Sequence, residues 1–180
     1  MDYSIIKAKS RGYANHGWLE AIHSFSFAGY YNPDRMGFGM IRVLNDDKIS
    51  GGMGFGMHPH ENMEIITIPL EGGVRHRDNM GNDGVINSNE IQVMSAGTGV
   101  MHSEVNASPT DYLKLFQIWI MPNKNNVTPR YQQIKIELTG NEFTQLVSPN
   151  EDDSGAWIYQ DAWLHIGEFE QNQEINYELK

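Results

Sequence analysis

Apolar and polar residues alternate in short runs along most of this chain, and glycine, asparagine and aspartate separate the runs. A period of two predicts strands with one buried face. The most apolar run, YLKLFQIWIMP from Tyr112 to Pro122, predicts a strand. MEIITIPL (63–70) predicts another, closed by a glycine turn at 72–73. Shorter strands are predicted over Phe38 to Leu44, VRHRD (74–78), EIQVMSAGTG (90–99) and VMHSEVN (100–106). Asn45-Asp46-Asp47 predicts a turn after the first of these, and IKIEL (134–138) with FTQLVS (143–148) predicts a hairpin. A helical period is not sustained anywhere, and strands recur every eight to twelve residues or so. That rhythm predicts an all-β sandwich or barrel. The acidic stretch PNEDDSGA divides the chain into a domain over 1–148, a linker over 149–156 and two or three further strands over 157–180.

Composition narrows the function classes. With 13 Lys and Arg against 23 Asp and Glu, the formal charge is −10. An acidic surface argues against direct contact with nucleic acid or anionic lipid. The chain has no cysteine, which removes disulfides, thiolate metal sites and a cysteine nucleophile together. No apolar run approaches the roughly 18 residues that cross a bilayer. No secretory pattern opens the sequence, so a cytoplasmic protein is expected.

GGMGFG (51–56) holds four glycines, yet no G-x-G-x-x-G pattern, no Gly-Lys-Ser/Thr and no helix follow. Glycines before a strand predict a bulge or a close approach of two backbones instead.

The candidate chemistry lies in GMHPHENMEI (56–65). His58 and His60 share one face of a strand, and Glu64 joins them if the strand stays regular. His102 and Glu104 repeat that spacing 42 residues past His60. If both pairs line one interior, three imidazoles and a carboxylate converge, a donor set suited to a divalent first-row metal. Glu64 and Glu104 both have workable parity as the fourth ligand. His76 reads as a partly exposed strand residue ahead of a place at the pocket mouth, and His16 and His23 read as hydrogen-bonded packing residues. Phe116 and Trp119 read as core, and the methionines around the motifs as pocket lining.

These stretches resemble the two cupin motifs. Gly52, His58, His60 and Glu64 fit the first, with its closing glycine displaced to Gly72; Gly99, His102 and Asn106 fit the second. HGWLEAIHSFSFAGYY, HRDNMGN, MSAGTGVMHSE and FQIWIMP narrow the resemblance to the pirin family of cupins, and within it to bacterial pirin-like quercetin 2,3-dioxygenases. The resemblance implies a cupin-type jelly-roll β-barrel. It implies one divalent metal ion, iron(II) foremost, with zinc, nickel, manganese, cobalt or copper accepted by such sites. It assigns His58, His60, His102 and Glu104 as ligands, preferring Glu104 to Glu64. It implies a dioxygenase that opens the heterocyclic ring of a flavonol with dioxygen and releases carbon monoxide, Glu104 taking the flavonol hydroxyl proton. The same family includes non-enzymatic metal-binding regulators that act through a protein partner, which is the alternative reading. Pirin-like proteins are bicupins, so 157–180 is expected to form the first strands of an incomplete second cupin domain. Those strands either complete a sheet elsewhere or, left unpaired, predict a homodimer that pairs them.

Overall fold

The computed structural model describes residues 4–178. After a short 3-10 turn at Ala8–Ser10, fourteen strands follow. They are β1 Gly12–Asn15, β2 Leu19–His23, β3 Ile41–Ile49, β4 Gly54–His60, β5 Glu64–Glu71, β6 Gly73–Asp78 and β7 Asp83–Asn87. The remainder are β8 Glu90–Ser95, β9 Val100–Asn106, β10 Leu113–Ile120, β11 Arg130–Lys135, β12 Phe143–Ser148, β13 Ala156–Trp157 and β14 Leu164–Gly167. A seven-stranded sheet in the order β1-β2-β3-β10-β5-β8-β11 faces a four-stranded sheet in the order β4-β9-β6-β7. The all-β expectation holds.

Alternation explains why these sequences pair as they do. In β10, Leu113, Leu115, Gln117 and Trp119 turn inward, while Phe116, Ile118 and Ile120 pack on the outer face. In β9, Val100, His102, Glu104 and Asn106 are buried and the residues between them are not. In β6, Val74, His76 and Asp78 are buried, and the outward Arg75 and Arg77 both pair with Asp83 on β7 at 3.1 and 2.7 Å. The interior is apolar at both ends. Leu19, Ala21, Ile49, Val74, Ile86, Leu113 and Leu115 close one end. Ile65, Met94 and Val100 close the other. Each fully buried aliphatic side chain contributes about 1.5–3 kcal/mol, and the polar site lies between the two clusters.

A third sheet, in the order β13-β12-β14, covers the outer face of the large one. Leu146, Val147, Ala156 and Ile158 pack there against Ile66, Ile68, Ile91, Val93, Ile118 and Ile120. This corrects one expectation: β11 pairs with β8 and not with β12, so the hairpin does not form. β13 and β14 each pair with β12 inside the chain and so complete a sheet there.

The predicted turn at Asn45-Asp46-Asp47 is also corrected. These residues run through the middle of β3, with Asn45 and Asp47 buried on its inner face. Their polarity reflects a polar interior.

The glycine expectation holds. A Cβ on Gly54 would collide with the Glu104 carbonyl oxygen and the Val105 Cα, so glycine lets β4 and β9 close together. The register of that pair shifts between Phe55 and His58, the bulge that turns both histidines to one side.

Candidate metal centre

Three strands of the small sheet present the same spacing inward: His58 and His60 on β4, His102 and Glu104 on β9, His76 and Asp78 on β6. Register sets them in two rows. His58 stands opposite His102, which stands opposite Asp78. Phe55 stands opposite Glu104, which stands opposite His76. The third pair was legible in principle, because HRD (76–78) carries the same His-x-acid period. His76 is fully buried, which corrects its reading as a partly exposed residue.

Ring nitrogens of His58, His60 and His102 lie within 4.8 Å of one another. The His58 Nδ1–H donates to the Gly56 carbonyl at 2.7 Å, which leaves its Nε2 as a bare lone pair. Nε2 of His60 and both ring nitrogens of His102 are buried without a hydrogen-bond partner. Burial, and then repulsion from His102 and His58, lower the His60 pKa to about 4. Burial, followed by His58 and His76, lowers that of His102 to about 3. Both rings are therefore neutral near pH 7, the form in which imidazole binds a metal. Lone pairs converging from three imidazoles, those of His60 and His102 orphaned by burial, fit a divalent first-row ion.

Glu104 lies beside this cluster. One of its oxygens and ring nitrogens of His76 and His102 fall within 4.8 Å of one another, so His102 belongs to both groups. The Glu104 carboxylate is held from across the barrel. It accepts from Gln117 Nε2 at 2.8 Å, Thr67 Oγ1 at 2.8 Å and Gln92 Nε2 at 3.3 Å. These donors come from one row of the large sheet, where Gln92, Thr67, Gln117, Asn45 and His23 stand opposite one another in turn. His23 bonds to Asn45 at 2.9 Å, as a packing histidine should.

Glu64 is elsewhere. The chain leaves the small sheet after His60, turns through Asn62 at φ 47°, and enters β5 of the large sheet. Glu64 therefore faces away from the metal centre and accepts from Ser95 Oγ at 2.7 Å. Burial raises its pKa, and the hydrogen bonds from Ser95 and the Tyr159 backbone oppose that rise.

A cavity of about 170 Å³ opens onto the centre, lined by His58, His60 and Glu104 together with Phe27, Phe55 and Trp119. Trp119 meets His60 edge-on with ring centroids 4.8 Å apart, so it is cavity wall as well as core. Asp47 is also in the wall, with Oδ1 buried and unpartnered. Burial, then Glu104 and Asp46, raise its pKa to about 7. A second cavity of about 310 Å³ shares Phe27, Asn45, Asp47 and Phe55 with the first. The methionine expectation fails for Met53, Met57 and Met101, which are exposed outside the cavity.

Two antiparallel sheets closed around inward-facing histidines define a cupin-type barrel. Comparison with known proteins makes this specific. The Pirin family model matches residues 6–120, and the model of the quercetinase C-terminal cupin domain matches 145–180. A quercetin 2,3-dioxygenase of Escherichia coli K12 is 52% identical over 160 residues, covering 88% of this chain and 68% of the relative. A pirin-like protein of Caulobacter vibrioides is 48% identical over 120 residues, covering 67% of this chain and 51% of the relative. The crystal structure of the bacterial pirin YhhW from E. coli in complex with nickel(II) superposes with a TM-score of 0.84 at 51% identity, covering 88% of this chain and 68% of that one. The chain belongs to the pirin family of cupins.

Proposed function

We propose that this protein is a metal-dependent dioxygenase acting on quercetin-like flavonols, with His58, His60, His102 and Glu104 holding one divalent ion, iron(II) foremost. The observation that carries the reading is the convergence of three imidazoles, two of them with buried unpartnered ring nitrogens, at a cavity walled by Phe27, Phe55 and Trp119. When bound, the ion supplies a redox-active Lewis-acid centre at which flavonol and dioxygen react.

The chain's own residues do the rest. Phe27, Phe55 and Trp119 offer flat apolar surface to an aromatic ring and keep bulk water from the centre. The two cavities that share Phe27 and Asp47 suit a substrate with two ring systems. Glu104 is the base that takes the flavonol hydroxyl proton. Thr67, Gln92 and Gln117 fix its carboxylate in place before substrate arrives. The E. coli relative that carries the name quercetin 2,3-dioxygenase supports this choice of substrate class. A cytoplasmic location belongs to the same reading.

The test is direct. Iron-loaded protein is incubated with quercetin in air, while loss of flavonol absorbance and release of carbon monoxide are followed. Turnover above a metal-only control is expected. Its absence in protein with full metal content sinks the enzyme reading and favours a regulator that acts through a partner.

A further inference from the structure

We propose that His76 is the outer anchor of the metal centre, its Nδ1 accepting the N–H that His102 turns away from the ion. Asp78 holds His76 in the tautomer that allows this. The inference rests on His102 being a ligand.

His76 Nε2 and Asp78 Oδ2 are 3.0 Å apart, with both side chains fully buried. A carboxylate accepts, so the proton sits on Nε2 and Nδ1 is a lone pair. That lone pair is buried and has no partner. Its neighbourhood is fixed: the ring stacks on Tyr131 at 4.8 Å on one side and stands 5.4 Å from the His102 ring on the other.

His102 has the complementary need. A neutral imidazole that gives one nitrogen to an ion carries its proton on the other, and that N–H must find an acceptor. Two acceptors are within reach, His76 and Glu104, whose atoms lie within 4.8 Å. Glu104 already accepts from Thr67, Gln92 and Gln117. His76 Nδ1 accepts from nothing. A small side-chain rotation on metal binding closes the remaining gap and satisfies both groups.

Asp78 is built for the task. Its Oδ1 accepts from the backbone N–H of Met80 at 2.8 Å and of Asn82 at 3.0 Å. Its Oδ2 accepts from Asn82 Nδ2 at 2.8 Å as well as from His76. Burial raises its pKa, but the hydrogen bonds from His76 and Asn82 and the two backbone donors outweigh burial and hold it below the usual value.

These backbone donors make a sharp test possible. In Asp78→Asn they bind the amide oxygen, which turns the NH2 toward His76 and toward Asn82, whose amide flips to present its oxygen. The donor then meets Nε2, the proton moves to Nδ1, and His76 can no longer accept, although the shape is unchanged. Metal-free protein is titrated with nickel(II) by calorimetry under chelator competition. Wild type is expected to bind one ion per chain. His76→Leu and Asp78→Asn are both expected to bind about 10–100-fold more weakly. His76→Gln, whose carbonyl can accept and whose amide can reach Asp78, is expected to recover most of the loss. Wild-type affinity in Asp78→Asn overturns the proposal even if His76→Leu is weak, because packing alone would explain that. If His76→Leu does not fold, Asp78→Asn decides. Two ions per wild-type chain, or one imidazole fewer around nickel in the X-ray absorption of His76→Gln, would make His76 a ligand and overturn it too. A wild type that takes up no nickel refutes the ligand reading itself, a result distinct from unaffected variants.

Discussion

Gln117 reaches across the barrel to Glu104, its Nε2 donating to the carboxylate at 2.8 Å. The two residues belong to opposite sheets, so this bond ties the polar wall to the histidine-bearing one. A hydrogen bond to a charged group contributes about 1.5–3 kcal/mol. Gln117→Leu is therefore expected to lower kcat for quercetin about 10–100-fold with the fold intact by circular dichroism. Unchanged kcat would show that Glu104 needs no such support.

His58→Ala removes one of three converging nitrogens and leaves the interior otherwise intact. Loss of a ligand exceeds loss of an outer partner, so nickel affinity should fall by more than about 100-fold. Metal analysis of purified protein checks this. Full metal content in the variant removes His58 from the ligand set.

Glu64→Ala separates the two glutamates by function. The substitution leaves Ser95 and the Tyr159 backbone without their acceptor, at about 1–3 kcal/mol each. A lower Tm with unchanged metal uptake is expected. Metal loss out of proportion to destabilisation would return Glu64 to the centre.

Acid should weaken the metal-free fold. His60 and His102 titrate near 6.5 when unfolded but near 4 and 3 when folded. Between these values the unfolded chain binds more protons, so stability is lost as pH falls from 6.5 toward 4. Asp47 opposes them, since it titrates near 7 folded and near 3.8 unfolded. Over that window its proton favours the folded state, and its stabilisation is lost as pH rises through 7. Two groups outweigh one, although solvent around partly exposed His60 reduces its share. Tm of the metal-free protein should fall by about 2–4 °C for each kcal/mol lost on acidification from pH 6.5. Asp47→Asn should show a steeper acid loss and a higher Tm than wild type at pH 8. A wild-type Tm that rises toward pH 4.5 contradicts this.

The residues most legible in the sequence were those that repeat on one strand. His58 and His60, like His102 and Glu104, share a face through period two alone, and the pirin-type flanks joined the two pairs. Residues that depend on a change of sheet were not legible. Glu64 has the right parity only if β4 and β5 are one strand, and the turn at Asn62 separates them. Asn45 and Asp47 looked like a turn because a polar interior and a solvent-exposed loop use the same residue types. His76 reads as partly exposed only because histidines are mostly found neither fully buried nor fully exposed. The alternate residues of that strand are fully buried. The pairing of β12 with β13 and β14 rests on contacts that no local pattern encodes.

The division between the sheets has a consequence for how such a protein changes over time. Every histidine of the centre hangs from β4, β6 or β9, whereas Asn45, Asp47 and Trp119 hang from β3 and β10. Drift on the second set can reshape what is admitted while the first keeps its grip. One histidine-bearing half can thus serve under different ceilings.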